Sequence, residues 1–187
     1  MKADYAELRL KPKGTIVRVA ENTNFAVTSL QGKDGAAQNG FSVAVGKVKT
    51  VVAKGSGSYS LKGSTAVCGV RGTKFIFSVL PGQREIAYVI NGAIDFTNAA
   101  GKTLSIGAGM MADALAASFE AFKPPADLLG DLESGMEFKS LKEEEVSGYE
   151  KVEAAPVAEA EEAEKPEEAK PAAEKTPLWL QKLMDFL

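Results

Sequence analysis

The sequence predicts an all-β fold for the body of the chain, on three observations. Short apolar or alternating runs recur between residues 14 and 106, turn signals separate them, and no helical pattern lies between them. In FSVAV, Phe41, Val43 and Val45 alternate with small residues, as in a strand that buries one face. Because crossover helices have no room, a doubly wound nucleotide-binding enzyme is not expected. Sandwich, barrel and solenoid architectures all stay open.

The predicted strands follow one another closely along this region. They are TIVRV, NFAV, FSVAV, KVKTVVA, SYSL, TAVCGV, TKFIFSV, REIAYVI, AIDF and TLSI. Glycine, proline and asparagine turn signals separate them, among them Asn39-Gly40, Pro81-Gly82 and Asn91-Gly92. The pattern changes from Gly109, where MMADALAASFEAF indicates a last strand running into a helix that ends at Pro124-Pro125. Residues 126–150 predict one or two short helices packed on the β body, or a partly ordered linker.

The C-terminal part predicts a tether that ends in an amphipathic helix. Residues 151–175 contain only Ala, Glu, Lys, Pro and Val, too little apolar surface to offset the entropy of ordering. In TPLWLQKLMDFL, residues 176–187, Thr176 suits the N-cap and Pro177 the first helical position. The predicted partner-binding residues on one face of this helix are Trp179, Leu180, Leu183, Met184 and Leu187.

A helix of twelve residues is only marginally stable alone in water. We therefore expect it to fold against a protein partner, a membrane or its own β body. The long tether favours a partner. The predicted domains are therefore a β domain over 1–123, short helices or linker over 124–150, a disordered tether over 151–175 and a docking helix over 176–187.

The composition excludes most catalytic chemistry. The chain has no histidine, which removes Ser-His-Asp catalysis and imidazole metal sites, including those of a cupin-like enzyme. The single cysteine, Cys68, lies in an apolar run and is expected to be a buried, inert thiol. No catalytic residue, metal ligand or cofactor is predicted, and the chain is not expected to be an enzyme.

Charge and hydropathy limit the partners. The net charge of −3 combines +5 over residues 1–132 with −8 over residues 133–175. The basic residues are spaced rather than clustered, so nucleic acid is not an expected partner. The sequence shows no transmembrane run and no signal peptide, so a cytoplasmic location stays open. Strand edges leave self-association open.

One motif resembles a known family. The segment TAVCGVRGTKF, residues 65–75, is similar to the signature of the FecR domain, with Arg71, Gly72 and Thr73 at the turn. AELRLKPKGTIVRVAENTNFAV and NGAIDFTNAAGKTLSIGAGMMA resemble the opening and closing strands of that family. The resemblance covers about residues 5–115. The bottom-up interpretation of the turn is structural, because Gly72 permits a tight bend and Arg71 and Thr73 can bond to neighbouring backbone.

The resemblance implies a solenoid-like, β-helical module of the bacterial envelope, extracytoplasmic and non-enzymatic. Our main interpretation is a scaffold or interaction protein that carries a tethered docking helix. One alternative is a periplasmic sensor or regulatory module of a FecR-type signalling system. Another is a module that binds an envelope polymer or carbohydrate through its basic body.

Overall fold

The computed structural model describes residues 5–11, 14–30, 39–80, 82 and 84–146. Strands β1 to β11, in chain order, span Ala6–Leu10, Thr15–Val19, Asn24–Ser29, Asn39–Val51, Tyr59–Lys62, Val67–Val70, Lys74–Leu80, Arg84–Asn91, Ala93–Thr97, Thr103–Gly107 and Met111–Asp113. A helix, α1, spans Ala126–Glu133, and a short 3-10 helix spans Glu143–Glu145. The prediction of a mainly β fold is confirmed.

The strands form two sheets that share β4. The first sheet has the order β1-β2-β4-β7-β8-β11, and the second has the order β3-β4-β5-β6-β9-β10. Residues 46–51 of β4 pair in the first sheet, whereas residues 39–45 pair in the second. The two sheets face each other and make a nearly closed, barrel-like structure around a common core.

The solenoid-like architecture is not confirmed. A solenoid stacks repeats so that each contacts only its neighbours in sequence. In the described residues every strand pairing is antiparallel except that of β4 with β5, and β6 pairs with β9 across two intervening strands. The pairing is that of a nearly closed, mainly antiparallel module rather than of a stack of coils.

Strand β4 corrects two local predictions. Asn39-Gly40 was expected to be a turn, yet both residues lie inside β4 and pair with Tyr59 and Ser60. FSVAV and KVKTVVA were expected to be separate strands, but β4 runs without a break from Asn39 through FSVAV and KVKT to Val51, a strand of 13 residues. The crossing from one sheet to the other lies between these two runs, at Gly46.

Gly46 lies where β4 passes from the second sheet to the first. Its φ is +107°, a conformation that glycine adopts far more readily than other residues. A Cβ there would lie 2.5 Å from the Cα of Thr23, whose Oγ1 accepts the backbone N–H of Lys47 at 3.1 Å. The strand can bend here because this position has no side chain.

Aromatic side chains fill the space between the two sheets. The largest of them are Phe41, Tyr59, Phe75, Phe77 and Phe96, each at most 2 % exposed. The Tyr59 hydroxyl lies 3.1 Å from Thr50 Oγ1, so this buried polar group has a partner. The alternation in KFIFSV, and that of Phe41 and Val43 in FSVAV, therefore sends one set of side chains into the common core. Val45 was expected on the same buried face but is exposed, since it lies next to the Gly46 crossing, where the pairing with β3 is irregular.

The segment after β11 departs from the predicted helix. Residues 114–121 form turns and bends, and Phe122 makes an isolated β-bridge with Met111. Phe119 is buried and its ring centroid lies 5.7 Å from that of Phe96. This aromatic anchor, rather than a helix, attaches the segment to the core.

The predicted tether over 151–175 and the predicted helix over 176–187 lie outside the described residues, and the domain boundaries stay predictions. No helix in the described ranges is long and apolar enough to cross a membrane.

The bend at Gly46 gives a direct test of the two-sheet arrangement. We expect Gly46→Ala to lower the free energy of unfolding by about 2–4 kcal/mol, because it adds backbone strain and a contact with Thr23. Gly107→Ala is the matched control, since Gly107 lies in β10 with open space around its Cβ position. Urea denaturation measures both, and equal stability of the two variants would show that β4 needs no glycine at the crossing.

Candidate interaction site

The outer face of the first sheet carries both apolar and basic side chains. Strand alternation directs them away from the common core. The apolar members are Ile16, Val51, Ile76, Ile86 and Tyr88. The basic members are Arg9, Arg18, Lys47, Lys49 and Lys74. Such a face has to be covered if its apolar area is to leave water.

Residues 126–146, which we call the strap, cover this face. Leu132 and Met136 lie in one apolar cluster with Ile76, Ile86, Tyr88 and Met111. Val146 lies in a second cluster with Ile16, Val51 and Ala53, and Phe138 and Leu141 pack against it. The short helices predicted for residues 126–150 correspond to α1 and the 3-10 helix. The strap takes part in two apolar clusters that are separate from the main core.

A buried ion pair lies beneath the middle of the strap. Arg18 donates from its NH1 nitrogen to Glu7 Oε1 at 2.7 Å, and both side chains are at most 5 % exposed. Arg18 Nε also donates to the backbone carbonyl of Gly135 at 2.9 Å. The Tyr5 ring covers the guanidinium, with 4.1 Å between Arg18 Cζ and the ring centroid. Arg18 therefore bonds at once to the sheet and to the strap.

The Glu7 carboxylate binds the strap backbone directly. Its Oε1 accepts the N–H of Lys139 at 2.6 Å, and its Oε2 accepts the N–H groups of Ser140 and Leu141 at 2.8 and 3.0 Å. Burial raises the pKa of Glu7, but these three donors and Arg18 outweigh it and hold that pKa below the ordinary 4.5. Glu7 is thus a charged anchor for three consecutive amides.

Lys47 binds the end of α1. Its Nζ donates to the carbonyl oxygens of Asp131 and Ser134 at 2.7 and 2.9 Å. The last carbonyls of a helix have no partner within the helix, and a cation there also complements the helix dipole. Burial lowers the pKa of Lys47, against the opposing charges of Asp131 and Glu137. Lys47 thus adds to the backbone bond at this helix end, in which the Ser134 N–H donates to the Gly130 carbonyl.

A second group of charges fixes the far end of the strap. Glu143 lies between two lysines, 2.6 Å from Lys74 Nζ and 3.1 Å from Lys49 Nζ. Burial raises the pKa of Glu143, but the two lysines outweigh it and lower that pKa below 4.5. Arg9 makes a further ion pair with the exposed Glu145.

A groove remains between α1 and the sheet. Its volume is about 740 Å³. Tyr5, Val45 and Leu80, which all line it, are among the exposed large apolar side chains of the described residues. Leu128 and Met136 of the strap line the opposite side. The strap therefore covers the face but does not contact all of it, and a mainly apolar groove is left beside the buried ion pair.

The Arg71-Gly72-Thr73 turn lies elsewhere, between β6 and β7. Gly72 has a φ of +60°, which favours glycine. Thr73 Oγ1 donates to the carbonyl of Ala93 at 2.7 Å and lies 3.1 Å from that of Arg71. The Thr73 carbonyl accepts the Val52 N–H at 2.9 Å. The motif thus links the β6–β7 turn to the start of β9 and to the backbone directly after β4.

Two acidic residues on neighbouring strands of the chain, Glu85 in β8 and Asp95 in β9, have different surroundings. Glu85 in β8 is fully buried and accepts the N–H groups of Thr65 and Ala66 at 2.7 and 2.8 Å. It thereby fixes the β5–β6 turn, and a Cβ at Gly63 would collide with its carboxylate. Asp95 is exposed on β9. No sequence signal pairs Glu85 with that turn, because the contact spans about twenty residues.

The remaining predictions concern Cys68, metal ligands and the C-terminal helix. Cys68 is fully buried, and burial, followed by the charge of Glu85, raises its pKa. Within the described ranges no group of three His, Cys, Asp or Glu side chains could hold a metal ion. The predicted partner-binding residues Trp179, Leu180, Leu183, Met184 and Leu187 lie outside the described residues.

The fold and the covered face define a mainly β module with two sheets and a C-terminal cover. A family model described as FecR protein matches residues 2–108, more than half of the chain, and the chain belongs to that family. The resemblance seen in the sequence is therefore confirmed. The strap lies beyond the matched residues.

Solved structures share this fold. Two crystal structures of a "putative anti-sigma factor from Parabacteroides distasonis ATCC 8503", at 1.65 and 2.50 Å resolution, match with TM-scores of 0.55 and 0.53 and with 13% and 12% sequence identity. Each match covers 73% of this chain and 64% of the other, so the chain spans less than two thirds of that protein. At such identity the likeness shows the fold alone. No curated protein sequence matches the chain significantly.

The depressed carboxyl pKa values predict an acid-sensitive strap. A carboxyl group whose pKa is lowered by folding stabilises the folded state above its unfolded value, and this contribution disappears as the pH falls through the folded value. We therefore expect the stability due to Glu7 and Glu143 to be complete above about pH 4.5 and to decrease below it. Urea denaturation between pH 7 and pH 3 measures this loss.

Two variants separate this effect from general acid denaturation. Glu143→Gln should show a shallower loss of stability on acidification, whereas Glu120→Gln, at an exposed position outside the strap, should follow the wild type. Identical pH profiles for Glu143→Gln and the wild type would contradict this account of the strap.

Proposed function

We propose that the protein is a regulatory module of the FecR signalling type that acts by binding another protein. One observation carries the proposal: the outer face of the first sheet already binds a polypeptide segment through contacts to its backbone. Arg18 and Lys47 bind carbonyl oxygens of the strap, and Glu7 binds three of its N–H groups. Contacts of this kind recognise a peptide chain.

The buried acidic groups support a binding role over a catalytic one. Glu7 and Glu85 each accept backbone N–H groups. Asp113 pairs with Arg84 and accepts the N–H of Leu115 at 3.0 Å. Each carboxylate therefore holds a loop or a strap in place and has a structural partner where an acid-base group would need access to substrate.

Family membership favours the sensor alternative over the envelope scaffold of our main interpretation. The matched P. distasonis protein is described as a "putative anti-sigma factor", and we include a regulatory role of that kind in the proposal for this chain. An extracytoplasmic location, and a second docking element around Trp179 and Leu183, belong to the same proposal.

Transcript measurements in the source bacterium test the proposal. Deleting the gene should change, by at least about threefold, the transcripts of a limited gene set that depends on one alternative sigma factor. The intact gene should restore them. A scaffold would instead give detergent sensitivity or altered cell shape with unchanged transcripts, and that result would contradict a signalling role.

Matched lysine variants connect the transcript effect to the site. Lys47→Met removes the ammonium group that binds α1 and should fail to restore the transcripts. Lys62→Met removes an exposed lysine of β5 in the second sheet and should restore them. If both variants failed to restore the transcripts, or if both restored them, the signalling surface would lie elsewhere.

A further inference from the structure

The strap and the face beneath it have opposite charges. Residues 126–146 carry seven Asp or Glu and two Lys, a net charge of −5. The covered face presents five basic side chains, and Glu143 and Glu145 pair with three of them: Lys49, Lys74 and Arg9. Charge therefore selects an acidic segment for this face.

The strap has few buried anchors. Of its residues only Leu132, Met136 and Val146 are buried. Helix α1 has eight residues and no side-chain hydrogen bond at its N-cap, so it depends on the sheet for its stability. The groove of about 740 Å³ beneath it shows that contact with the sheet is incomplete. A segment held in this way can open without unfolding the core.

We propose that the outer face of the first sheet is an exchangeable docking surface for an acidic peptide segment with apolar anchors. The strap is its occupant within the chain, and a partner segment of the same chemistry displaces it. This inference rests on the proposed function, because it identifies the kind of partner that a FecR-type module would bind at this site.

The face is suited to a peptide and unsuited to nucleic acid. Glu7 lies at its centre and binds N–H donors, which a phosphate backbone lacks, and its charge would repel phosphates. Ile76, Ile86 and Tyr88 are covered by Leu132 and Met136, so the occupant has to supply apolar side chains as well as carboxylates. An acidic amphipathic segment supplies both.

A binding experiment in trans tests the exchange. The probe is a fluorescein-labelled peptide with the strap sequence, residues 126–146. The receptors are the full chain and its Leu132→Ser/Met136→Ser variant, which removes two apolar anchors of the strap and leaves the sheet unchanged. We expect fluorescence anisotropy to show at least tenfold tighter binding by the variant, because its own strap competes less.

Two controls test the chemistry of recognition. A peptide carrying Glu143→Lys and Glu145→Lys should bind at least tenfold more weakly than the native strap peptide. A Leu30→Ser/Leu115→Ser receptor, which loses two exposed leucines outside the strap, should bind the native peptide as the wild type does. Equal binding of both peptides, or no binding by a folded variant, would overturn the proposal.

Hydrogen exchange in the wild-type chain decides the question if the strap variant does not fold. The amides of Lys139, Ser140 and Leu141 should exchange at least a hundredfold faster than the slowest amides of β4 and β7. Exchange of both groups at one common rate would make the strap a permanent part of the core and overturn the proposal.

The outcomes separate this inference from the proposed function. Peptide exchange without any effect of the gene on transcripts would keep the docking surface and refute the signalling role. A transcript effect without peptide exchange would keep the signalling role and refute exchange at this face.

Discussion

The ion pair between Arg18 and Glu7 is the contact on which the covered face depends. Both residues come from the β1–β2 hairpin, and together they bind four backbone groups of the strap. Removing one member of such a buried pair typically costs about 3–5 kcal/mol, because the other charge is left without a partner. Burying the pair is therefore costly. Its bonds to backbone groups exist only while the strap, or a segment like it, covers the pair.

The two sheets share one core but differ in their outer faces. Their inner faces form one aromatic and aliphatic core, and β4 joins them at Gly46. The outer face of the second sheet carries mostly small or polar residues such as Ser60, Asp95 and Ser105, with Val67 as an exposed apolar exception, so it has less need of a cover. The outer face of the first sheet carries apolar and basic side chains that do need a cover, which the strap supplies. Binding is therefore expected at the first sheet, since its surface is incomplete without an occupant.

Local patterns in the sequence predict much of the fold and little of the site. Alternation in KFIFSV and the Gly72 turn depend on neighbouring residues, so the β class and the turn can be inferred directly. By contrast, Glu7 and Leu141 are 134 residues apart, and no periodicity records such a contact. The dipeptide Asn39-Gly40 favours a turn, and the prediction followed that preference. In the structure the preference is overridden because this part of β4 pairs with a strand on each side.

Limited trypsin digestion of Glu7→Gln tests the central claim most directly. Lys139 and Lys142 lie in the strap, where Glu7 binds the adjacent amides. The account predicts that Glu7→Gln speeds cleavage at these lysines by about tenfold or more. The β core should stay resistant, and Glu120→Gln should behave as the wild type. Unchanged cleavage in Glu7→Gln, or equal loss of resistance in strap and core, would show that the ion pair does not seat a separable strap.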